Sequence, residues 1–212
     1  MIDIVSVTDH IKDFEKVEEK ILGKYFSSNF DKNTTIALVW HKKIDEVFLK
    51  RHPKVRAIVR YGVGFDNIDI DYCNRNNIEV FNTPDYGVDE VSDTALGMII
   101  NLTRNINGFQ SFAKEDSLSW LGKKISIPVH RISSLKLGII GLGRIGSSLG
   151  RKFFALSPNV AFYDPYLKSG TEKIFGFKRF FNLNSILKES DIISINPPLN
   201  SDTSKLVNKE FI

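Results

Sequence analysis

Three glycines and one carboxylate carry the plainest chemistry in this chain. Gly141, Gly143 and Gly146 fall in the pattern G-x-G-x-x-G within LGIIGLGRIG, directly after an apolar run and directly before SSLGRKFFAL, which reads as a helix. In such a strand-turn-helix unit the first glycine permits a tight turn. The second lets the backbone approach a pyrophosphate, and the third lets the helix pack closely on the strand. Free N–H groups at the helix start, from Arg144 and Ile145 onward, would take up the phosphate charge. The Arg144 side chain is either a pyrophosphate contact or a solvated helix residue. The next apolar run, NVAFYD, ends in Asp164, 18 residues beyond Gly146. That is where a dinucleotide site places the carboxylate that binds the adenosine ribose hydroxyls. A carboxylate there repels a 2′-phosphate, so the pattern favours NAD over NADP. The plain alternative is a strand-end turn residue before Pro165.

Other chemistries find little support. Of the four histidines, His10 and His41 follow expected strands, His52 precedes Pro53 at a helix end, and His130 lies in an irregular stretch. None has a spaced carboxylate or arginine to orient it, so they read as surface or capping residues. No nucleophile-elbow motif and no metal-ligand cluster is present. Cys73 is the single cysteine, which excludes an intrachain disulfide framework and a structural zinc site and fits a reducing, cytoplasmic setting. The 29 Lys and Arg residues against 25 Asp and Glu leave a small surplus scattered among acids, so no nucleic-acid or membrane partner is expected. No apolar run has the length of a membrane span, and Asp3 and Asp9 interrupt the start where a signal peptide would be basic and then apolar.

These residues need elements to hold them. Short runs rich in Val and Ile alternate with amphipathic stretches, the pattern of parallel strands joined by helices. In the first half IDIVSV, TIALVW, VRAIVR and IEVFN read as strands, with helices over Ile11 to Tyr25, Ile44 to Arg51 and Ile70 to Asn76. After the turn-rich TPDYG comes a long helix from Val88 to Ile106, in which Val91, Ala95, Met98, Ile99 and Leu102 recur at helical spacing. It is expected to bridge two domains. Asn107 to Ser134 reads as a helix followed by an irregular connection. A second series then holds strands LGIIG, NVAFYD, a weak KRF and DIISIN, with helices over Arg144 to Ala155 and Leu183 to Glu189. The expected domains are residues 1–97 and 98–212.

Five segments together resemble the D-isomer-specific 2-hydroxyacid dehydrogenases, in the branch similar to the C-terminal-binding-protein corepressors. They are VRYGVGFDNID (59–69), FNTPDYGVDEVSDTAL (81–96), LGIIGLGRIG (137–146), FYDPYL (162–167) and SINPPLNSDTSKLVN (194–208). The resemblance implies an α/β architecture, a flavodoxin-like substrate domain followed by a Rossmann NAD-binding domain, with a cleft between them. It implies that Gly62, Val63 and Gly64 hold a substrate carboxylate through backbone N–H groups and that Val63 also borders the cofactor. Asp66 and Asn67 read as turn-stabilising. Pro197, Pro198 and Thr203 match positions that touch NAD. Asn196 stands where relatives usually have His, Asn200 where many have Thr, and Ala95 where some place a hydroxyl.

In the family the catalytic arginine, glutamate and histidine follow the segment that ends in SKLVN, so the acid/base is expected beyond Ile212 and the chain is expected to be a fragment. Only four strands follow Leu135, whereas a Rossmann domain has six. The implied function is NAD-dependent interconversion of a 2-hydroxy acid and its 2-oxo acid by a homodimer. Two alternatives stand beside it: an NAD-binding corepressor-like module without catalysis, and a sister oxidation in the same superfamily.

Overall fold

In the computed structural model, residues 3–9, 15–115, 129–209 and 211 are described. They divide into two compact units, Met1–Tyr86 and Gly87–Ile212. In the first, β1 (Val5–Val7), β2 (Ile36–Val39), β3 (Ala57–Arg60) and β4 (Glu79–Asn82) form a parallel sheet in that order. Between β1 and β2 the chain runs through helix α1 (Glu15–Leu22) and returns at Phe26, which makes a single parallel bridge to Val5. Counted as a strand, that bridge gives the order 2-1-3-4-5, which is flavodoxin-like. Helices α2 (Glu46–Arg51) and α3 (Ile70–Arg75) complete the unit.

Side chains alternate across a strand, so this sheet presents two apolar faces. Ala37, Val39 and Ile58 pack with Leu49 of α2 and Cys73 of α3. Val5, Val7 and Leu38 pack on the other face with Leu22 of α1 and Phe26. Burial on both faces explains why the strands read as continuous apolar runs. Each fully buried aliphatic side chain, such as Ile58, contributes about 1.5–3 kcal/mol.

The second unit begins with α4 (Val88–Arg104) and α5 (Ile106–Glu115), separated by Asn105 in a left-handed conformation that ends α4. Then come β5 (Leu137–Ile140), α6 (Arg144–Phe154), β6 (Val160–Tyr163), α7 (Thr171–Phe175), β7 (Lys178–Phe180), α8 (Leu183–Glu189) and β8 (Ile192–Ile195). The parallel order β7-β6-β5-β8 is 3-2-1-4 within the unit, the order of the first four Rossmann strands. The KRF segment is a true strand, and the short α7 was not expected. Leu137 and Ile139 meet Leu149 and Phe153 of α6 and Ile99 of α4 in one core.

The two compact units meet in sequence at Tyr86/Gly87, and α4 belongs to the second, where it packs along α6. Lys152 of α6 reaches Asp89 at 3.1 Å, Asp93 at 2.6 Å and the Ser92 hydroxyl at 2.7 Å. The buried stripe of α4 is Ser92, Ile99 and Thr103. The hydroxyls of Ser92 and Thr103 donate to carbonyls of their own helix at 2.7 and 2.8 Å, so polar residues can occupy the packing face. Val91, Met98 and Leu102 are left exposed.

Candidate functional site

In an open parallel sheet, the crevice lies beyond the carboxyl ends of the strands at the point where strand order reverses. In the second unit that point is between β5 and β8. Gly141 follows β5 with φ +82°, and a Cβ there would stand 2.8 Å from the backbone nitrogen of Pro197, which follows β8. Gly146 is the close-approach glycine: a Cβ would fall 2.2 Å from the Gly141 carbonyl oxygen, so no larger residue lets α6 sit this near the turn. Gly143 differs from both. It is the N-cap of α6, and nothing lies within 4 Å of the position its Cβ would take.

Helices α2, α3 and α8 are capped by the side chains of Asp45, Asp69 and Asn182. Helix α6 has no side-chain cap and no acidic residue in its first turn. A helix start of this kind, with no side-chain cap and no acidic residue, suits a phosphate. Asp164, at the end of β6, accepts from the Leu142 N–H at 3.0 Å with one oxygen and from the Tyr166 N–H at 3.0 Å with the other. Each oxygen keeps a further lone pair for a hydroxyl donor.

A cavity of about 310 Å³ joins these parts, lined among others by Gly141, Gly143, Asp164, Pro197, Pro198 and Thr203. Arg144, Ile145 and Gly146 do not line it; they form the first turn of α6 behind its glycine wall. The wall from Pro198 to Thr203 is pinned internally. The Asn200 side chain accepts from the N–H groups of Asp202 and Thr203, both at 3.0 Å, and the Thr203 hydroxyl donates to the Pro198 carbonyl at 2.5 Å. The Asn196 amide donates to the Ser194 hydroxyl at 3.1 Å.

Residues 96–212 match the NAD-binding domain of the D-isomer specific 2-hydroxyacid dehydrogenases. The chain belongs to that family. Its glycine turn, uncapped α6 and Asp164 carboxylate fit the NAD that such a domain binds. Among relatives of this dehydrogenase family, glyoxylate reductase of Thermococcus litoralis is 31% identical over 175 residues, 79% of this chain and 51% of that protein. C-terminal-binding protein 1 of Caenorhabditis elegans is 25% identical over 203 residues, 93% of this chain and 26% of that protein. The chain thus spans from a quarter to about half the length of these curated relatives. A D-lactate dehydrogenase from Aquifex aeolicus, solved with NAD and lactic acid, superposes with a TM-score of 0.87 at 26% identity, covering 99% of this chain and 65% of that one.

In the first unit, the dehydrogenase-like segment Gly62-Val63-Gly64 follows β3 at the carboxyl edge of the sheet. The Gly62 N–H donates to the Arg60 carbonyl at 2.9 Å. The N–H groups of Val63 and Gly64 have no acceptor among the described residues and can meet a carboxylate. Two residues at the end of β4 hold this loop. The Asn82 amide donates to the Val63 carbonyl at 2.8 Å, and the Thr83 N–H to the Gly62 carbonyl at 3.1 Å. The Asn67 side chain donates to the Lys42 carbonyl at 2.9 Å, tying its turn to the segment after β2. Asp9, not singled out as a site residue in the sequence, accepts from the N–H groups of Trp40, His41 and Lys42. The available signal was position, since polar residues just past a parallel strand face the crevice side.

His41 is exposed with its ring against Trp40, centroids 4.0 Å apart. His52 caps α2, with Nδ1 2.9 Å from the Phe48 carbonyl, and His130 is held through its backbone to Thr103 and Arg104. His10 lies outside the described residues. Among the described residues no histidine ring is shown bonded to a carboxylate, and no group of His, Cys, Asp and Glu could hold a metal ion.

Proposed function

We propose that this chain serves NAD-dependent hydride transfer between a 2-hydroxy acid and its 2-oxo acid. The observation that most supports this reading is the meeting of Gly141, Gly143 and Asp164 with Pro197, Pro198 and Thr203 around one cavity. NAD supplies the hydride chemistry at its nicotinamide when bound. The chain's own groups bind and orient: Gly141 and Gly143, at the N-terminus of α6, receive the pyrophosphate, and the Asp164 carboxylate accepts the ribose hydroxyls. Pro197, Pro198 and Thr203 form the opposite wall. In the first unit the Val63 and Gly64 N–H groups hold the substrate carboxylate, with Gly62 shaping the turn. The hydroxyl proton needs a base within hydrogen-bond reach. No described histidine is oriented for that task, so proton transfer is assigned to groups outside the described residues. The working form is a cytoplasmic homodimer.

The likeness to C-terminal-binding protein 1 supports a second reading, an NAD-binding module that recruits a partner without catalysis. NADH oxidation by the full-length protein with glyoxylate, pyruvate or hydroxypyruvate separates the two. Turnover of any of these is the expected result. Tight NADH binding with no turnover of any 2-oxo acid would favour the module.

A further inference from the structure

We propose that Arg179 is a positioning residue for the cofactor, setting the direction in which Asp164 presents its carboxylate and thereby the preference for NAD over NADP. The proposal rests on the reading of Asp164 as the ribose ligand. Arg179 lies on β7, does not line the cavity, and its side chain is only 7% exposed. Its guanidinium gathers three carbonyls of one turn: Nη2 donates to Asp164 at 3.1 Å and Leu167 at 2.6 Å, and Nη1 to Lys168 at 2.9 Å. Those carbonyls belong to the turn that carries the ribose-binding carboxylate. Asp164 is thus fastened twice, through its carboxylate to the Leu142 and Tyr166 N–H groups and through its backbone to Arg179.

Burying a guanidinium is unfavourable unless its donors are satisfied, and an apolar side chain would fill such a strand position at less cost. Here Nη1 and Nη2 together make three hydrogen bonds to one turn, Nε is buried without a partner among the described residues, and Glu172 stands 3.6 Å from Nη1 and balances the charge. Phe162 and Phe181 flank the guanidinium at 5.7 and 5.0 Å, limiting its rotation. An arginine beside this position can instead serve a 2′-phosphate in NADP-binding relatives of the fold. Arg179 cannot do so in this conformation, because its terminal nitrogens point into the turn and away from solvent.

NADH and NADPH are titrated by fluorescence into the full-length protein and its Arg179→Met, Arg179→Lys, Asp164→Ala and Ile186→Val variants, with thermal unfolding recorded for each. Arg179→Met is expected to weaken NADH binding about tenfold and to leave NADPH binding within about twofold, so the preference narrows. Arg179→Lys should restore part of the preference, since an ammonium keeps the charge but cannot bridge three carbonyls. Ile186→Val, a core change in the same unit, should lower the unfolding temperature without moving the ratio. Equal weakening of both nucleotides by Arg179→Met and Arg179→Lys would overturn the proposal in favour of a merely structural role. A selective loss of NADPH would overturn it in favour of a phosphate ligand. An unchanged ratio in Asp164→Ala would remove the ribose reading itself, separately from the behaviour of Arg179.

Discussion

A methyl group added at Gly143 and one added at Gly146 should have opposite consequences. At Gly146 the new carbon meets the Gly141 carbonyl oxygen, which is backbone and cannot swing aside. Gly146→Ala is expected to destabilise the protein by about 1–3 kcal/mol, read as a lower unfolding temperature with or without nucleotide. At Gly143 the methyl enters open space, so unfolding should stay within about 0.5 kcal/mol of wild type. NADH affinity should nevertheless fall by about tenfold or more in a titration, since that space is where a pyrophosphate approaches. The two tasks were legible in the sequence because glycine spacing encodes them directly. Arg179 was not legible: nothing in KRF shows that its side chain turns back to collect carbonyls from a turn fifteen or fewer residues earlier. The bond from the Gly62 N–H to the Arg60 carbonyl was not legible for a similar reason, since a one-dimensional pattern does not show which N–H a local turn engages.

At the scale of elements, two features lead to measurements. The exposed stripe of α4 carries Val91, Met98 and Leu102, the last two 60% and 76% exposed, about a quarter turn around the helix from its packing face. Apolar periodicity alone could not separate this stripe from the buried one, because Ser92 and Thr103 are polar residues made compatible with burial by bonds within their own helix. If that stripe forms the two-fold interface, Leu102→Glu should convert a dimer into a monomer in light scattering at micromolar concentration; an unchanged mass would place the interface elsewhere. The second feature is the clamp between β1 and β2. Burial pushes the Asp9 carboxyl up, but bonds from the Thr8 hydroxyl and the Trp40, His41 and Lys42 N–H groups outweigh it and hold the group below the usual aspartate range. Its stabilisation is therefore complete above the unfolded value of about 3.9 and is lost as pH falls through the lower folded value. Asp9→Asn should cost about 1–3 kcal/mol in urea unfolding at pH 7, and the difference from wild type should shrink below pH 4.

For the molecule as a whole, the alternation of strand and helix disclosed both α/β units, because periodicity and parallel pairing follow from the same burial on two faces. The boundary between them was less legible, since it depends on Lys152 and on which face of α4 is buried. Sheet order carried the remaining information, and in the first unit it is preserved by a single bridge at Phe26. Along its outer side β1 is held by few bonds among the described residues: the Ser27 N–H donates to the Val5 carbonyl at 2.9 Å and the Ser6 hydroxyl to the Asn29 carbonyl at 3.2 Å. Its inner side is paired with β2 at three positions. The three-residue β1 is thus a seam where the unit can open without disturbing β3 and β4. Amide hydrogen exchange should show it as a gradient: the Ser27 amide exchanges first through small local fluctuations, the β2 amides next, and those of β3 only when the whole unit unfolds.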